Sequence, residues 1–279
     1  MNSENEFWSK AGSLLLTDTE GHDLDLSLTL NVRYYLMSTL PHGAGTSAGV
    51  CQQPGNPLNA NAVLRALLVD MDEWVTKGTE PPQNRVPNRT DGTLVPSLPQ
   101  SGTGFPNIPS PVTGTGITGT GTVVEYDGVM HTGDLFNFGP QFNEGILSVQ
   151  PPILIGRPYP VFAIKVDVDG NDIAGIRLPD ISVPLATYTG WSQRAWHTGD
   201  PKPMVDGCDA AGQKIPFLET KAERIAAGDP RLSIQERYSS HAAYVTLVTN
   251  AAQQLENERL LLDADVQAYI TAAEAASVP

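Results

Sequence analysis

Proton transfer near neutral pH needs an imidazole, and the 279-residue chain has five. His42 is set apart by its neighbours, Pro41-His42-Gly43-Ala44-Gly45. The glycines let the backbone turn tightly and leave the ring unshielded, so His42 is a candidate general base. An ordinary loop histidine shares that local pattern. Just beyond it, Gly45-Thr46-Ser47-Ala48-Gly49 spells G-x-S-x-G, with Ser47 five residues after His42. A nucleophile elbow needs a strand directly before its serine and a helix directly after. Here the apolar run ends near Ser38, and Val50-Cys51-Gln52-Gln53-Pro54-Gly55-Asn56-Pro57 cannot open a helix. Ser47 is read as a chance match and kept only as an alternative nucleophile.

The remaining histidines offer less. His22 reads as a solvated loop residue and His241 as part of a helix. His131-Thr132-Gly133 and His197-Thr198-Gly199 lack a second ligand at metal spacing. Asp167, Asp169 and Asn171 resemble the start of a calcium loop, but glycine falls at position four and Leu178 at position twelve, where glycine at six and glutamate at twelve are needed. A β-hairpin of residues 161–168 and 173–176 around Asp169-Gly170-Asn171-Asp172 is expected instead. No metal and no cofactor are expected.

The elements around His42 must hold it. Val32, Tyr34, Tyr35, Leu36 and Met37 suit a buried strand over residues 31–37. Val63, Leu64, Leu67, Leu68, Met71, Trp74 and Val75 recur at helical spacing, predicting a helix over 61–77 with an apolar face. Asn59 or Asn61 can cap its start, and Gly78 ends it. A histidine on a loop between a last buried strand and a last helix is where α/β-hydrolases keep their base.

Several longer segments carry a resemblance: NSENEFWSKAGSLLLTD, NVRYYLMSTLPHGAG, CQQPGNPLNANAVLRALLVDMDEWVTKGTEPPQNRVP, DGTLVP, VDVDGNDIAGIRLPDISVPLATYTGW and ERYSSHAAYV. In this order they resemble the C-terminal half of a bacterial family of alpha/beta hydrolase domain-containing proteins. The resemblance covers almost the whole chain. It implies a serine hydrolase, of the carboxylic-ester type, whose GxSQSG-type elbow lies upstream and is matched by nothing here. Chain order in such enzymes is serine, then acid, then histidine. Glu6 in Glu6-Phe7-Trp8 matches the glutamate of the family's EYW-like segment and is the implied acid, with Glu4 as its rival. Tyr188 and Trp191 lie in a shared aromatic segment and are candidate pocket residues, or a packed strand end. The resemblance implies an α/β fold, namely the C-terminal portion of an α/β-hydrolase core.

The expected organisation has three parts. Residues 1–78 form the core piece. Residues 79–123, with prolines at 81, 82, 87, 96, 99, 106, 109 and 111 and a Gly/Thr run over 113–122, form an extended surface arm. Residues 124–279 form a hairpin-rich and helical extension. In it, Thr220 with Glu223 and Ser233 with Glu236 make capping boxes. The second box should open a long helix through Leu255, and Asp263 can cap a helix packing against it.

Charged residues are 17% and net charge is −14, which argues against nucleic acid and anionic membranes. No apolar run is long enough to span a membrane. No signal peptide follows Met1, so the chain reads as cytoplasmic as it stands, or exported if a missing half carries a signal. Cys51 and Cys208 can form one bridge or stay free thiols. Without an upstream half, the chain is expected to be close to inactive and to expose an unpaired edge along residues 32–36. It should then self-associate or bind a partner carrying that half. A non-catalytic fragment or accessory subunit is the alternative.

Overall fold

The computed structural model describes residues 1–28, 31–109, 130, 132–194, 208 and 210–279. His131, His197 and the Gly/Thr run lie outside the described residues.

The chain opens with strand β1 (Asn2–Ser3) and helix α1 (Glu4–Ser9). β1 lies parallel to β2 (Leu36–Met37), pairing Asn2 with Leu36 and Ser3 with Met37. Parallel partners need a crossover, and residues 4–35 supply it. β2 is far shorter than the strand expected over 31–37, because its neighbours change from residue to residue. Tyr34 donates its N–H to Asn84 Oδ1, 2.9 Å, and accepts the Arg85 N–H, 2.9 Å. Leu36 donates to the Arg85 carbonyl and accepts the Ile176 N–H, both 2.8 Å. Short loop contacts thus satisfy the backbone that an open edge at Tyr34 and Leu36 would have left bare.

Helix α2 (Asn61–Lys77) follows as expected, ending at Gly78 with φ of 74°. Ala60 holds the N-cap position, and Asn59 Oδ1 accepts the Asn61 N–H at 3.0 Å. Its buried face differs from the apolar stripe. Val63, Ala66 and Asp70 turn inward, and Asp70 pairs with Arg259 at 2.5 Å. Leu64, Leu68, Met71 and Val75, spaced three or four residues apart, are exposed, Leu68 at 71% and Val75 at 78%. The core claims one flank of the stripe and leaves the other in water.

The expected surface arm is partly core. β3 (Leu94–Pro96) pairs antiparallel with β6 (Phe162–Ile164), and Leu94, Phe105 and Ile108 are buried. Proline-rich chain becomes ordered here because isolated apolar residues reach the core while a strand takes up the backbone bonds. The expected hairpin changes accordingly. Its turn is present, with Asp167 N–H on the Asn171 carbonyl at 2.8 Å and Ile173 N–H on that of Lys165 at 3.0 Å. However, β6 takes β3 as its strand partner, and Ile176 bridges to Met37 instead.

β4 (Asp134–Asn137) and β5 (Ile153–Pro158) form an exposed ribbon. A short helix, α3 (Pro179–Ser182), precedes β7 (Ala186–Thr189), which pairs antiparallel with β8 (Gln213–Pro216). Both capping boxes form, opening α4 (Lys221–Ala227) and α5 (Ile234–Arg237). The long helix expected from the second box breaks at Tyr238, whose extended backbone sends its hydroxyl to the Pro184 carbonyl, 2.7 Å. Ser240 then caps α6 (His241–Asn257), which packs on α7 (Asp263–Glu274). Leu262, one residue before Asp263, takes the N-cap position of α7. The main core joins Met37, Leu40, Val63, Ile181, Tyr188 and Leu261. Cys51 and Cys208 are bonded to each other, 157 residues apart in sequence. Among the described residues, no helix is long and apolar enough to cross a membrane.

Candidate active site

Glu6 and His42 both lie just past the carboxyl ends of parallel strands, Glu6 after β1 and His42 after β2. Side chains leaving adjacent parallel strands at that end converge on one crevice. Here they meet, with His42 Nδ1 2.9 Å from Glu6 Oε1. The second carboxylate oxygen, Oε2, accepts the Ser3 N–H at 2.6 Å and the Ser3 hydroxyl at 2.5 Å. Both oxygens are thereby fixed by partners from different strands. Burial alone raises the Glu6 carboxyl, but the bonds from His42 and Ser3 outweigh it and hold the group below its ordinary value. An ionised Glu6 accepts Nδ1–H, which leaves Nε2 as the free basic nitrogen of the ring. The histidine side chain is 68% exposed against 24% for the glutamate, so the imidazole faces solvent and the carboxylate is sheltered.

Glu4 goes elsewhere. Two residues along a helix turn a side chain by about 200°, and Glu4 is buried on the opposite side of α1. There it accepts the Trp8 Nε1–H at 2.7 Å and the Gly190 N–H at 2.5 Å. A Cβ on Gly190 would lie 2.5 Å from Asn5 N and 2.6 Å from Leu40 O, so only glycine lets β7's end approach this closely. Burial pushes the Glu4 carboxyl up to about 7, against the bonds from Gly190 and Trp8 that favour its ionised form. The folded chain therefore holds a proton that the unfolded chain, at its ordinary 4.5, has lost. Stability from this group is complete below pH 4.5 and falls as pH rises to about 7, by about 3 kcal/mol in all. Urea unfolding at pH 5 and pH 8 should show this decline, and Glu4→Gln should reduce it, with the nearby buried Asp172, whose carboxyl is also raised, supplying the remainder. An unchanged pH slope in the variant would remove Glu4 as its source.

A cleft of about 410 Å³ opens beside the pair, lined by Asn2, Glu6, Leu40, His42, Asn59 and Asn61 among others. Tyr188 and Trp191, the candidate pocket residues, are not in it. Tyr188 is in the main core, and Trp191 packs against Trp8 and Phe105 with ring centroids 5.7 and 5.3 Å away. Ser47 lies on an exposed irregular loop, where its Oγ accepts the Gly49 N–H at 3.2 Å. Neither strand nor helix adjoins it, so the elbow geometry is not formed there. Among the described residues no group of three or more His, Cys, Asp or Glu side chains could hold a metal.

Most of the residues that anchor the histidine loop were not visible in the sequence. Ser3 fixes Glu6, while Asn5 N–H reaches the Leu40 carbonyl at 3.3 Å and Asn56 Nδ2 the Thr39 carbonyl at 2.7 Å. Beyond His42, Gly43 N–H reaches the Ala210 carbonyl at 3.0 Å. The partners of residues 39, 40 and 43 come from across the chain and no local spacing marks them, whereas Ser3 and Glu6 make a Ser-x-x-Glu capping box that the sequence carries locally.

A family model described as an alpha/beta hydrolase domain matches residues 2–271. No curated protein and no solved structure matches the chain.

Proposed function

Because this chain belongs to the alpha/beta hydrolase domain family, a family of hydrolase-type enzymes, we propose that it supplies the acid and base of a serine hydrolase acting on carboxylic esters. The observation that carries this reading is the 2.9 Å contact between Glu6 Oε1 and His42 Nδ1 at the ends of two parallel strands. His42 Nε2 takes the proton of an attacking serine hydroxyl, the serine oxygen bonds to the ester carbonyl, and the same proton passes to the departing alcohol oxygen. Glu6 keeps the imidazole in the Nδ1–H tautomer and stabilises the cation formed in between. The nucleophile is assigned to an upstream half outside this chain. The Cys51–Cys208 bridge fits an oxidising compartment, where disulfides persist.

The test is a fluorophosphonate probe applied to the chain alone and to the chain co-expressed with an upstream half bearing a GxSQSG elbow. Labelling and ester hydrolysis only in the second case support the reading. Labelling of Ser47 in the isolated chain would favour a self-contained esterase instead.

The exposed stripe Leu64, Leu68, Met71 and Val75 favours a second reading, in which the chain is a non-catalytic subunit that packs on its partner through α2. Both readings require that stripe to be covered. Leu68→Glu with Val75→Glu is expected to remove self-association of the isolated chain in sedimentation and to prevent joining to the upstream half. Unchanged behaviour in both would exclude α2 from the contact.

A further inference from the structure

Thr39, three residues before His42, has φ of +58°. A β-branched residue in the left-handed region is a true outlier, because its Cβ crowds the backbone. Such a conformation persists only where its surroundings over-determine it. Thr39 is wholly buried, and Asp172 Oδ2, equally buried, accepts its N–H at 2.7 Å. The Asn56 amide takes the Thr39 carbonyl from the other side. Ser38, just before the turn, donates its hydroxyl to the Ala174 carbonyl at 2.5 Å. The turn is thus gripped through the segment that contains Asp172, and His42 leaves it towards Glu6. Asp172 is otherwise costly to keep. Burial and the nearby Glu4 raise its carboxyl, with the Thr39 N–H and then Arg177 opposing and Asp167 adding to the rise, and its Oδ1 has no hydrogen-bond partner among the described residues.

We propose that Asp172 is a positioning residue for His42: by holding the Thr39 N–H it locks the left-handed turn that aims His42 Nδ1 at Glu6. The proposal rests on reading Glu6 and His42 as the acid–base pair, but its test does not depend on catalysis. Ring-nitrogen NMR of the full ¹⁵N-labelled chain reads the ratio of Nδ1–H to Nε2–H tautomer at His42, identified by its loss in His42→Gln. The wild-type chain should favour Nδ1–H, and Glu6→Gln should lower the ratio about tenfold, as expected for losing a charged hydrogen bond. Asp172→Ala should lower it comparably. Thr39→Gly, which adopts a positive φ without strain, should leave it unchanged. The decisive variant is Asp172→Ala combined with Thr39→Gly, which should restore the ratio, because glycine no longer needs the grip. A purely structural aspartate would not be rescued in this way.

A wild-type ratio in Asp172→Ala overturns the proposal and leaves the Glu6–His42 pair standing. So does a loss that adding Thr39→Gly fails to restore. If Asp172→Ala does not fold, the double variant still decides: folding with a native ratio supports the proposal, and failure to fold where Thr39→Gly folds overturns it. Should Glu6→Gln leave the ratio unchanged, the acid–base pair itself falls and the proposal with it.

Discussion

In the two-part serine hydrolase proposed above, His42→Ala is expected to cut kcat by about 10⁴ or more. Removing the imidazole takes away the group placed to accept the serine proton, and Glu6 in the same cleft is held by Ser3 and sheltered from solvent. Asn59 and Asn61 line the same cleft, but amides are not bases at neutral pH. The variant should remain folded, because the ring is mostly exposed and its described bond is the single contact to Glu6. Glu6→Gln should cost less, about 10² to 10⁴, since the glutamate orients the ring and stabilises its cation without touching the reacting atoms. Steady-state ester hydrolysis with matched circular dichroism spectra is the measurement. A loss below tenfold at His42 would remove it from the mechanism. Equal losses at both positions would point to a Glu6 that also holds the loop in place.

The second large effect lies in stability. Replacing Cys51 and Cys208 with serine should lower the unfolding free energy by about 3–5 kcal/mol, because a bridge across a loop this long removes much of the freedom of the unfolded chain. The bridge spans 157 residues of sequence. It joins the loop following His42 to the segment before β8, where ordinary backbone bonds also run. Gln52 N–H reaches the Gln193 carbonyl at 2.9 Å, Lys214 N–H that of Pro54 at 2.9 Å, and Asn56 N–H that of Ala211 at 3.2 Å. Those bonds survive the substitution, so the His42 loop should keep its course while the global midpoint in urea falls. Unfolding with and without a reductant measures the same quantity in the wild-type chain. A change under about 1 kcal/mol would mean that the unfolded chain stays compact enough to make the bridge redundant.

By itself the sequence determined the elements whose cause is local. Helix α2 and its glycine stop follow from apolar spacing and from φ at Gly78, and the Thr220–Glu223 and Ser233–Glu236 boxes follow from side chains that reach only three residues. His42 could be singled out because glycine beside a histidine is also a local fact. The catalytic role of Glu6 could be named only through resemblance, since the Ser3-x-x-Glu6 capping box sets it apart from Glu4 as a helix cap and says nothing of His42. The tertiary structure separated the two. α1 turns one carboxylate towards the strand ends and buries the other against Gly190 and Trp8.

Packing also decided which flank of α2 is covered, because Asp70 found Arg259 and drew that flank inward. It shortened the strand before His42, since only the two residues of β1 pair with it as a strand and its other backbone partners are loop residues at 84–85 and 176. It ordered residues 94–108 of the proline-rich stretch by giving Leu94 and Ile108 a core to enter. Each of these outcomes is fixed by contacts between residues far apart in the chain. Local propensity carries no record of such contacts, so only the folded arrangement could show which residues hold His42 in place.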